Sequence, residues 1–489
     1  MSITVEVHNL GPLKSAEIEL SDLNVLVGDN NTGKTFFGTV LHRTLESSYS
    51  YPLPPRAEVG DIPKPFGKLV ENLIRALGSK NPSDEWITWR PDPATRRWID
   101  TINRNILTGF GSAVRDAIAY AYGTEASSLR RRTISRFAPD SFVRIGLSSK
   151  KSEVEWEVRI PFDSDTVDVV TPGSVGWLAH LLSEENVEFA TGLWPLRKED
   201  VDSAVADLEN TCWRLALSEG REALFDSWPR NAIHLPSERS GIVQNYRLLS
   251  GAAARSLART NDRRADKSLL SGTEADLLTL LLSAKHSDKN ARSSAKFSRF
   301  VHDFEEDIGA GIDIDDHDSP AQSIVAATTE GRFPISRASA MLSELAALHL
   351  ALRFHLEPGD SLTIDEPEAH LHPAAQRRMA SFLVQLVLGN ATVILTTHSD
   401  FFVGQLNNHI RASELTRLKT PPSGTTSLAI DRSRVRAMRF RRSSRWCTGE
   451  AIDIDPVDGI DEATFTDEMD ALYSESTKTT NPLLDTAID

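Results

Sequence analysis

One stretch decides most of what this chain can become. Residues Gly28-Asp29-Asn30-Asn31-Thr32-Gly33-Lys34-Thr35 read G-x-x-x-x-G-K-[ST], the spacing of a phosphate-cradling loop. The glycines permit a tight turn whose backbone N–H groups point inward at an anion. The helix that follows adds the positive end of its dipole. In such a loop Lys34 reaches the β- and γ-phosphates of a nucleotide and the Thr35 hydroxyl ligates Mg2+. Average residue usage produces this match in a chain of this length roughly once or twice in a hundred. Val25-Leu26-Val27 before it suits a buried strand, and Phe36 to Leu45 after it continues as a helix. Strand, loop and helix together are the context the motif requires.

A second constellation lies far downstream. Asp360-Ser361-Leu362-Thr363-Ile364-Asp365-Glu366-Pro367 reads as an apolar strand ending in two carboxylates. Alone, this is also what an acidic turn after a buried strand looks like. Downstream of a phosphate loop it reads as a Walker B strand. Asp365 then holds Mg2+, usually through water, and Glu366 orients and polarises the attacking water. Val393-Ile394-Leu395-Thr396-Thr397-His398-Ser399 is another apolar strand. A lone histidine is more often structural, but the stretch resembles the switch-histidine strand of ABC-type ATPases, which implies that His398 senses a γ-phosphate.

Composition sets the limits. The 489 residues are 40% hydrophobic and 25% charged, ordinary for a globular chain with room for two or three domains. No apolar run approaches the eighteen or so residues of a membrane span, so no membrane partner is expected. Met1 to Glu6 has neither a basic start nor an apolar core of a signal peptide, and the expected location is cytoplasmic. Cys212 and Cys447 are the two cysteines, too few for a disulfide framework or a zinc cluster. A net charge of −15 speaks against a chain coated in nucleic acid but leaves room for a local basic patch.

Residues 3–27 alternate as a hairpin leading into the loop strand. Tyr51 to Pro65 reads as a proline-rich loop, Phe66 to Leu77 as a helix, and residues 79–95 as irregular. Arg96 to Tyr122 has helical spacing. Arg130-Arg131-Arg132 reads as a solvated face. Phe142 to Leu147 and Val154 to Ile160 form a second hairpin signal, followed by helices over 173–228. Ile233-His234-Leu235-Pro236-Ser237-Glu238-Arg239 is a short strand returning toward the nucleotide. Arg239 is a candidate to touch phosphate or a partner; a surface arginine in a turn fits equally. Ser268 to Ala284 and Ala295 to Ile308 read as helices. Arg432 to Arg445 holds seven arginines in fourteen residues, suited either to phosphate or an acidic partner, or to an exposed strand pairing with the acidic segment 450–470. Residues 474–489 have a disordered composition.

Several stretches carry a family resemblance. Asn9-Leu10-Gly11-Pro12-Leu13-Lys14 before the loop resembles the opening of ABC-type ATPases of the SMC and RecF kind. Asp365-Glu366-Pro367-Glu368-Ala369-His370-Leu371-His372-Pro373 resembles the D/E-E-P-E-x-H-L-H-P of RecF-like and overcoming-lysogenisation-defect (OLD) ATPases. Leu235-Pro236-Ser237-Glu238-Arg239 resembles their L-P-A-x-R segment. Thr396-Thr397-His398-Ser399 is similar to the switch-histidine strand. Ile335-Ser336-Arg337-Ala338-Ser339-Ala340-Met341-Leu342-Ser343-Glu344-Leu345 resembles a signature helix of the S-S-x-x-x-E-L variant, with Ala340 where the common signature has glycine. The AAA15- and AAA21-like ATPase subunits of anti-phage systems such as PARIS and Septu are the members it is most similar to.

The resemblance implies an α/β fold: an ABC-type P-loop core, a mixed sheet flanked by helices, with a large, mainly helical insertion. On it, residues 1–50 and 331–430 are core, 51–230 the insertion with a β-hairpin near 142–160, 231–330 a return segment, and 431–489 a basic strand and acidic helical tail. It implies ATP and Mg2+ as cofactors and a homodimer or higher homo-oligomer in which Ser339 acts in trans on the other subunit's ATP. His370 and His372 fall in the loop that lies at such an interface. An OLD nuclease would carry a Toprim domain in the tail. Asp453-Ile454-Asp455 has the right letters, but the strand–helix alternation is missing, so no nuclease is read here. The implied function is an ATP-hydrolysing switch acting with a separate effector, a nuclease or toxin, in anti-phage defence. A DNA-repair or DNA-clamping ATPase binding duplex DNA directly is the alternative. A transporter motor is disfavoured by the long gap between loop and signature.

Overall fold

The computed structural model describes residues 2–50, 61–79, 92–122, 140–149, 154–162, 164, 166–170, 217, 221, 224–225, 228–258, 270–284, 295–315, 323–418, 428–443, 445–461 and 471–477. The expected loop at 51–60, most of the irregular stretch 79–95, the Arg130 run, the helices expected over 173–228, and residues 478–489 lie outside the described residues.

In chain order, β1 (Ser2–Leu10), β2 (Leu13–Leu20) and β3 (Leu23–Gly28) lead to α1 (Lys34–Ser50). Helices α2 (Lys64–Ser79) and α3 (Pro93–Ala121) precede β4 (Phe142–Ser149), β5 (Val154–Pro161) and β6 (Asp168–Val170). Strand β7 (Ala232–Leu235) opens a run of helices, α4 (Arg239–Ala258), α5 (Gly272–Ser283) and α6 (Ala295–Ile308). Strands β8 (Ala310–Asp315), β9 (Ser323–Thr328) and β10 (Gly331–Pro334) then lead through a 3-10 turn to α7 (Ala340–Phe354). The alternation β11 (Ser361–Asp365), α8 (Pro373–Leu388), β12 (Thr392–Thr397), α9 (Asp400–Arg417) follows, and β13 (Val435–Ser443) and β14 (Trp446–Ile452) close the series.

Contacts divide the chain into two compact units. The first takes Met1–Leu10, Arg43–Ala119 and Thr124–Trp228. In it β1 pairs antiparallel with β4, β4 with β5 and β5 with β6. The first strand's alternating Ile3, Val5 and Val7 are buried and register against β4 from Ser2↔Ser148 to His8↔Phe142. Phe110, Trp156, Phe225 and Trp228 make an aromatic cluster with edge and stacked contacts. The two buried indole N–H groups are satisfied by the Leu224 and Leu45 carbonyls, as buried tryptophans require.

The second unit takes Gly11–His42, Tyr120–Gly123 and Pro229–Asp489. Its main sheet runs β2-β14-β13-β3-β12-β11-β7. Strands β13, β3, β12, β11 and β7 are mutually parallel, while β14 runs antiparallel to β13. This is a mixed sheet flanked by helices. Parallel strands covered on both faces read as continuous apolar runs, and every residue of β3 and β11 is buried. Helix α7 is buried at every position from Leu342 to Leu352, so it is covered all round rather than along one stripe. A smaller sheet, β10-β9-β8, packs into the same core.

The arginine-rich strand does pair with the start of the acidic segment, Arg439 opposing Glu450, but it is not an exposed strand: β13 lies between β3 and β14, with Val435, Ala437, Met438 and Phe440 buried. Arg439 is buried too, its guanidinium taken by the Asp461 carbonyl at 2.7 Å and carboxylate at 3.0 Å. Among the described residues no helix is long and apolar enough to cross a membrane.

Burial of His349 on α7 has a measurable consequence. Its Nδ1 lies 3.1 Å from Glu305 Oε1 on α6, with Arg353 and Asp313 nearby. Loss of hydration, followed by the repulsion of Arg353, holds its pKa down to about 4 against an ordinary 6.5. The unfolded chain therefore takes up this proton first as pH falls. The stability contribution is complete above 6.5 and is lost on the way down to 4, at most roughly 3 kcal/mol. Thermal unfolding across that window should show His349→Gln with a shallower loss than the parent; equal slopes would assign the pH dependence elsewhere.

Candidate nucleotide site

Four parallel strands bring the motifs to one edge. β3 ends at Gly28 and the phosphate loop, β11 at Asp365, β12 at Thr397 before His398, and β7 at Leu235 before Pro236. Their registers align these ends: Val27 opposes Thr397, Thr396 opposes Asp365, and Ile364 opposes Leu235. Ligands of open parallel sheets bind outside the carboxyl ends of the strands. Here those ends border a cleft of about 800 Å³ lined by Pro12, Asn30 to Phe36, Ser237, Glu238, Glu366 and His398.

The loop has the required backbone. Gly28 has φ +144° and Gly33 φ +92°, conformations that favour glycine. A Cβ on Gly28 would press into the Phe440 carbonyl of β13, and one on Gly33 into the Leu13 side chain. Asn31 is left-handed as well, at φ +60°. Thr32 Oγ1 donates to the Asp29 carbonyl at 2.7 Å and pins the turn. Helix α1 starts at once, with Phe37 N–H donating to Gly33 O at 2.9 Å.

Lys34 is 5% exposed, and its Nζ donates to the Gly28 and Asp29 carbonyls at 2.5 and 2.6 Å. Burial pushes this ammonium below its ordinary value, opposed by the carboxylates of Glu366, Asp29, Glu368 and Asp365. The Lys34 charge thus sits at the focus of the acidic half of the site. Thr35 is exposed beside the cleft.

Asp365 is fully buried. Its Oδ1 accepts from Thr396 Oγ1 at 2.9 Å, and its Oδ2 lies 2.9 Å from His234 Nε2. The next residue turns sharply. Glu366 has φ +47°, a left-handed conformation that costs a non-glycine residue on the order of 1 kcal/mol or more. Its N–H donates to the Thr396 carbonyl at 3.0 Å, and the turn sends its side chain to the cleft wall. Glu368 is the second buried carboxylate: Oε1 accepts from Thr397 Oγ1 at 2.7 Å and from His398 N–H at 2.9 Å. Burial pushes the Glu368 carboxyl up, against those two bonds. His398 Nδ1 lies 3.5 Å from Glu368 Oε1 and 3.8 Å from Glu366 Oε1, so the imidazole is held between two carboxylates.

The donor set suits Mg2+. The cation prefers hard oxygen ligands, keeps several waters and binds through one or two carboxylates plus substrate phosphates. The Thr35 hydroxyl and the Asp365 carboxylate are of that kind. Among the described residues there is no group of three or more His, Cys, Asp or Glu side chains that would hold a metal by themselves. His370 and His372 join no such group, and His372 instead caps α8.

Two expected site residues sit elsewhere in the chain. Ser339 does not line this cleft; it caps α7, its side chain accepting from Leu342 N–H. Arg239 does not line it either. It is 2% exposed and its guanidinium is engaged by the Pro236, Asp365 and Glu366 carbonyls and by Glu344. Buried and so engaged, its guanidinium is not among the groups that border the cleft. Its nearness to the Walker B turn follows from β7 pairing with β11. His234, Thr396, Glu368 and Glu344 escaped the sequence reading as site residues. All four stood inside stretches already singled out by their motifs; their roles appear only through pairings distant in sequence.

The strand order and the loop at this edge are those of an AAA-type P-loop domain. Residues 112–404, more than half of the chain, match the family described as "AAA domain, putative AbiEii toxin, Type IV TA system", and the chain belongs to that family. No curated protein sequence matches it significantly. Among solved structures it is similar to an SMC head bound to the C-winged helix domain of ScpA, at TM-score 0.36 and 12% identity over 92% of this chain and 97% of that one. It is similar to the SMC head domain from Thermotoga maritima, at TM-score 0.36 and 9% identity over 93% and 100%. A third is an SMC head with an extended coiled coil bound to the C-terminal domain of ScpA derived from Pyrococcus furiosus, at TM-score 0.36 and 14% identity over 97% and 98%.

Removing the Lys34 ammonium tests the cleft. Lys34→Ala should raise the Kd for ATP roughly 10- to 100-fold, the loss of a charge-assisted contact, in a fluorescence titration. Unchanged affinity would move the nucleotide out of this cleft.

Proposed function

We propose that the chain is an ATP-binding and ATP-hydrolysing switch. The observation that carries this is the meeting of Lys34, Thr35, Glu366 and His398 at one cleft, on the ends of β3, β11 and β12. In this reading the loop N–H groups of Asn30 to Thr35 cradle the α- and β-phosphates. Lys34 exchanges its carbonyl partners for β- and γ-phosphate oxygens. Glu366 orients a water in line with the γ-phosphorus and polarises it as the bond to the β-γ bridging oxygen breaks, leaving ADP and phosphate. His398, held by Glu368, contacts the γ-phosphate and loses that contact on its departure. Thr35, and Asp365 through water, would hold Mg2+, which supplies neutralisation of the phosphate charge when bound.

Ser339 and the N-terminus of α7 complete the partner subunit's site in this reading, so two chains close on two ATP molecules. Differential affinity of closed and open dimers for ATP and ADP is what makes hydrolysis a switch. A role in anti-phage defence beside a separate nuclease or toxin effector is supported by the motif resemblance and by the family's description, which names a toxin of a type IV system. This step is analogy.

One observation favours the DNA-clamping alternative: Arg441, Arg442 and Arg445 are exposed at the β13–β14 turn. DNA binding through them would weaken steeply with salt.

Phosphate release from ATP by the purified chain is the test. Wild type should turn over with Mg2+, and Glu366→Gln should lower kcat on the order of 10²-fold or more while ATP affinity is kept. Turnover in Glu366→Gln equal to wild type would remove Glu366 from the mechanism.

A further inference from the structure

We infer that Arg239 and Glu344 form a positioning pair that fixes the Glu366 carbonyl, and with it the reach of the Glu366 carboxylate, from the first turns of the helix capped by Ser339. The inference rests on the ATPase reading and adds to it a physical link between the signature helix and the residue that positions water.

The link can be followed bond by bond. Arg239 Nη1 donates to the Asp365 carbonyl at 2.5 Å, and Nη2 to the Glu366 carbonyl at 3.0 Å. One planar fork therefore grips both carbonyls of the Walker B turn. Its Nε faces Glu344 Oε2 at 2.6 Å, both side chains being 2% exposed. Ser240 lies beside the same carboxylate. Glu344 lies on α7, five positions after the Ser339 cap. A parallel contact joins the same two helices: Gln244 Nε2 of α4 donates to Ser343 Oγ, which donates to the Ser339 carbonyl. Across from Arg239, the Glu344 Oε1 lies 3.8 Å from His370 Nε2, in the loop beyond the Walker B turn.

The turn needs such a grip. Glu366 is left-handed at φ +47°, and a non-glycine residue stays there only where its surroundings over-determine it. The Thr396 carbonyl holds its N–H, and its carbonyl accepts from Ala369 N–H at 3.0 Å and from Arg239. Burying an ion pair is a poor way to gain stability, since apolar residues of similar volume serve as well. A pair whose arginine donates to both carbonyls of the catalytic turn, and to Pro236 beside it, serves orientation. A shift of α7 at Ser339 would reach Glu366 through two rigid contacts, so an event at the signature end of one chain is felt at that chain's own water-positioning carboxylate.

The test measures ATP hydrolysis and binding of a fluorescent ATP analogue by full-length Arg239→Lys, Glu344→Gln and Glu344→Ala. Lysine is a point donor and cannot span both carbonyls and Glu344. Arg239→Lys should lower kcat on the order of 10²-fold, the effect of a small misplacement, with KM and analogue affinity near wild type. Glu344→Gln keeps an acceptor for Arg239 and should fall between wild type and Glu344→Ala. Arg239→Lys added to Glu366→Gln should cost nothing further, because both act through one carboxylate. Should Arg239→Lys fail to fold, the Glu344 series decides between the outcomes. Equal kcat in the variants and an active wild type would overturn the positioning pair; so would a loss of analogue affinity matching the loss of kcat. A wild type without hydrolysis would overturn the ATPase reading on which it stands.

Discussion

Val27 opposes Thr397 and Thr396 opposes Asp365, and the chemistry at this edge depends on that parallel register. A slip of one residue in β11 or β12 would turn Asp365 and Thr396 to the opposite faces of the sheet. It would separate the Thr396 hydroxyl from Asp365 and the Thr397 hydroxyl from Glu368. The register is enforced by burial: every residue of β11 and all but Thr392 of β12 are buried, so there is no solvent face onto which a slipped pattern could go.

Holding the site costs hydration. Asp365, Glu368, Glu344, Arg239 and Lys34 are all buried or nearly so. Loss of water pushes the Glu368 and Glu344 carboxyls up and the Lys34 and Arg239 cations down. Each is compensated by a named partner: Thr397 and His398 for Glu368, Arg239 for Glu344, the loop carbonyls for Lys34. Such a network is stable only when it is complete, which ties the geometry of Glu366 and His398 to contacts two strands away. A triphosphate offers Lys34 stronger acceptors than two carbonyls, so nucleotide binding would redistribute this network rather than merely fill a cleft.

What the sequence revealed and what it hid divide along a physical line. The loop Gly28 to Thr35, the Asp365-Glu366 strand end and His398 are local: a few neighbouring residues carry both the backbone shape and the chemistry. Helices α3 and α6 were legible from their spacing alone. The strand at β13 and its pairing with the segment from 450 are legible in the alternating arginines, but its burial is not, because that comes from parallel pairing with β3, more than four hundred residues earlier. Arg239 was left between phosphate contact and surface turn because its partners, Glu344 and the 365–366 carbonyls, are over a hundred residues away. The pairing of β1 with β4 is hidden for the same reason.

The central claim is that ATP joins two chains, Ser339 of one completing the site of the other. Light scattering on Glu366→Gln, with Mg2+ and with or without ATP, tests it most directly. The account predicts that ATP yields a particle of at least twice the mass of one chain, retained while ATP is present. A particle that keeps the mass of a single chain under saturating ATP would contradict it.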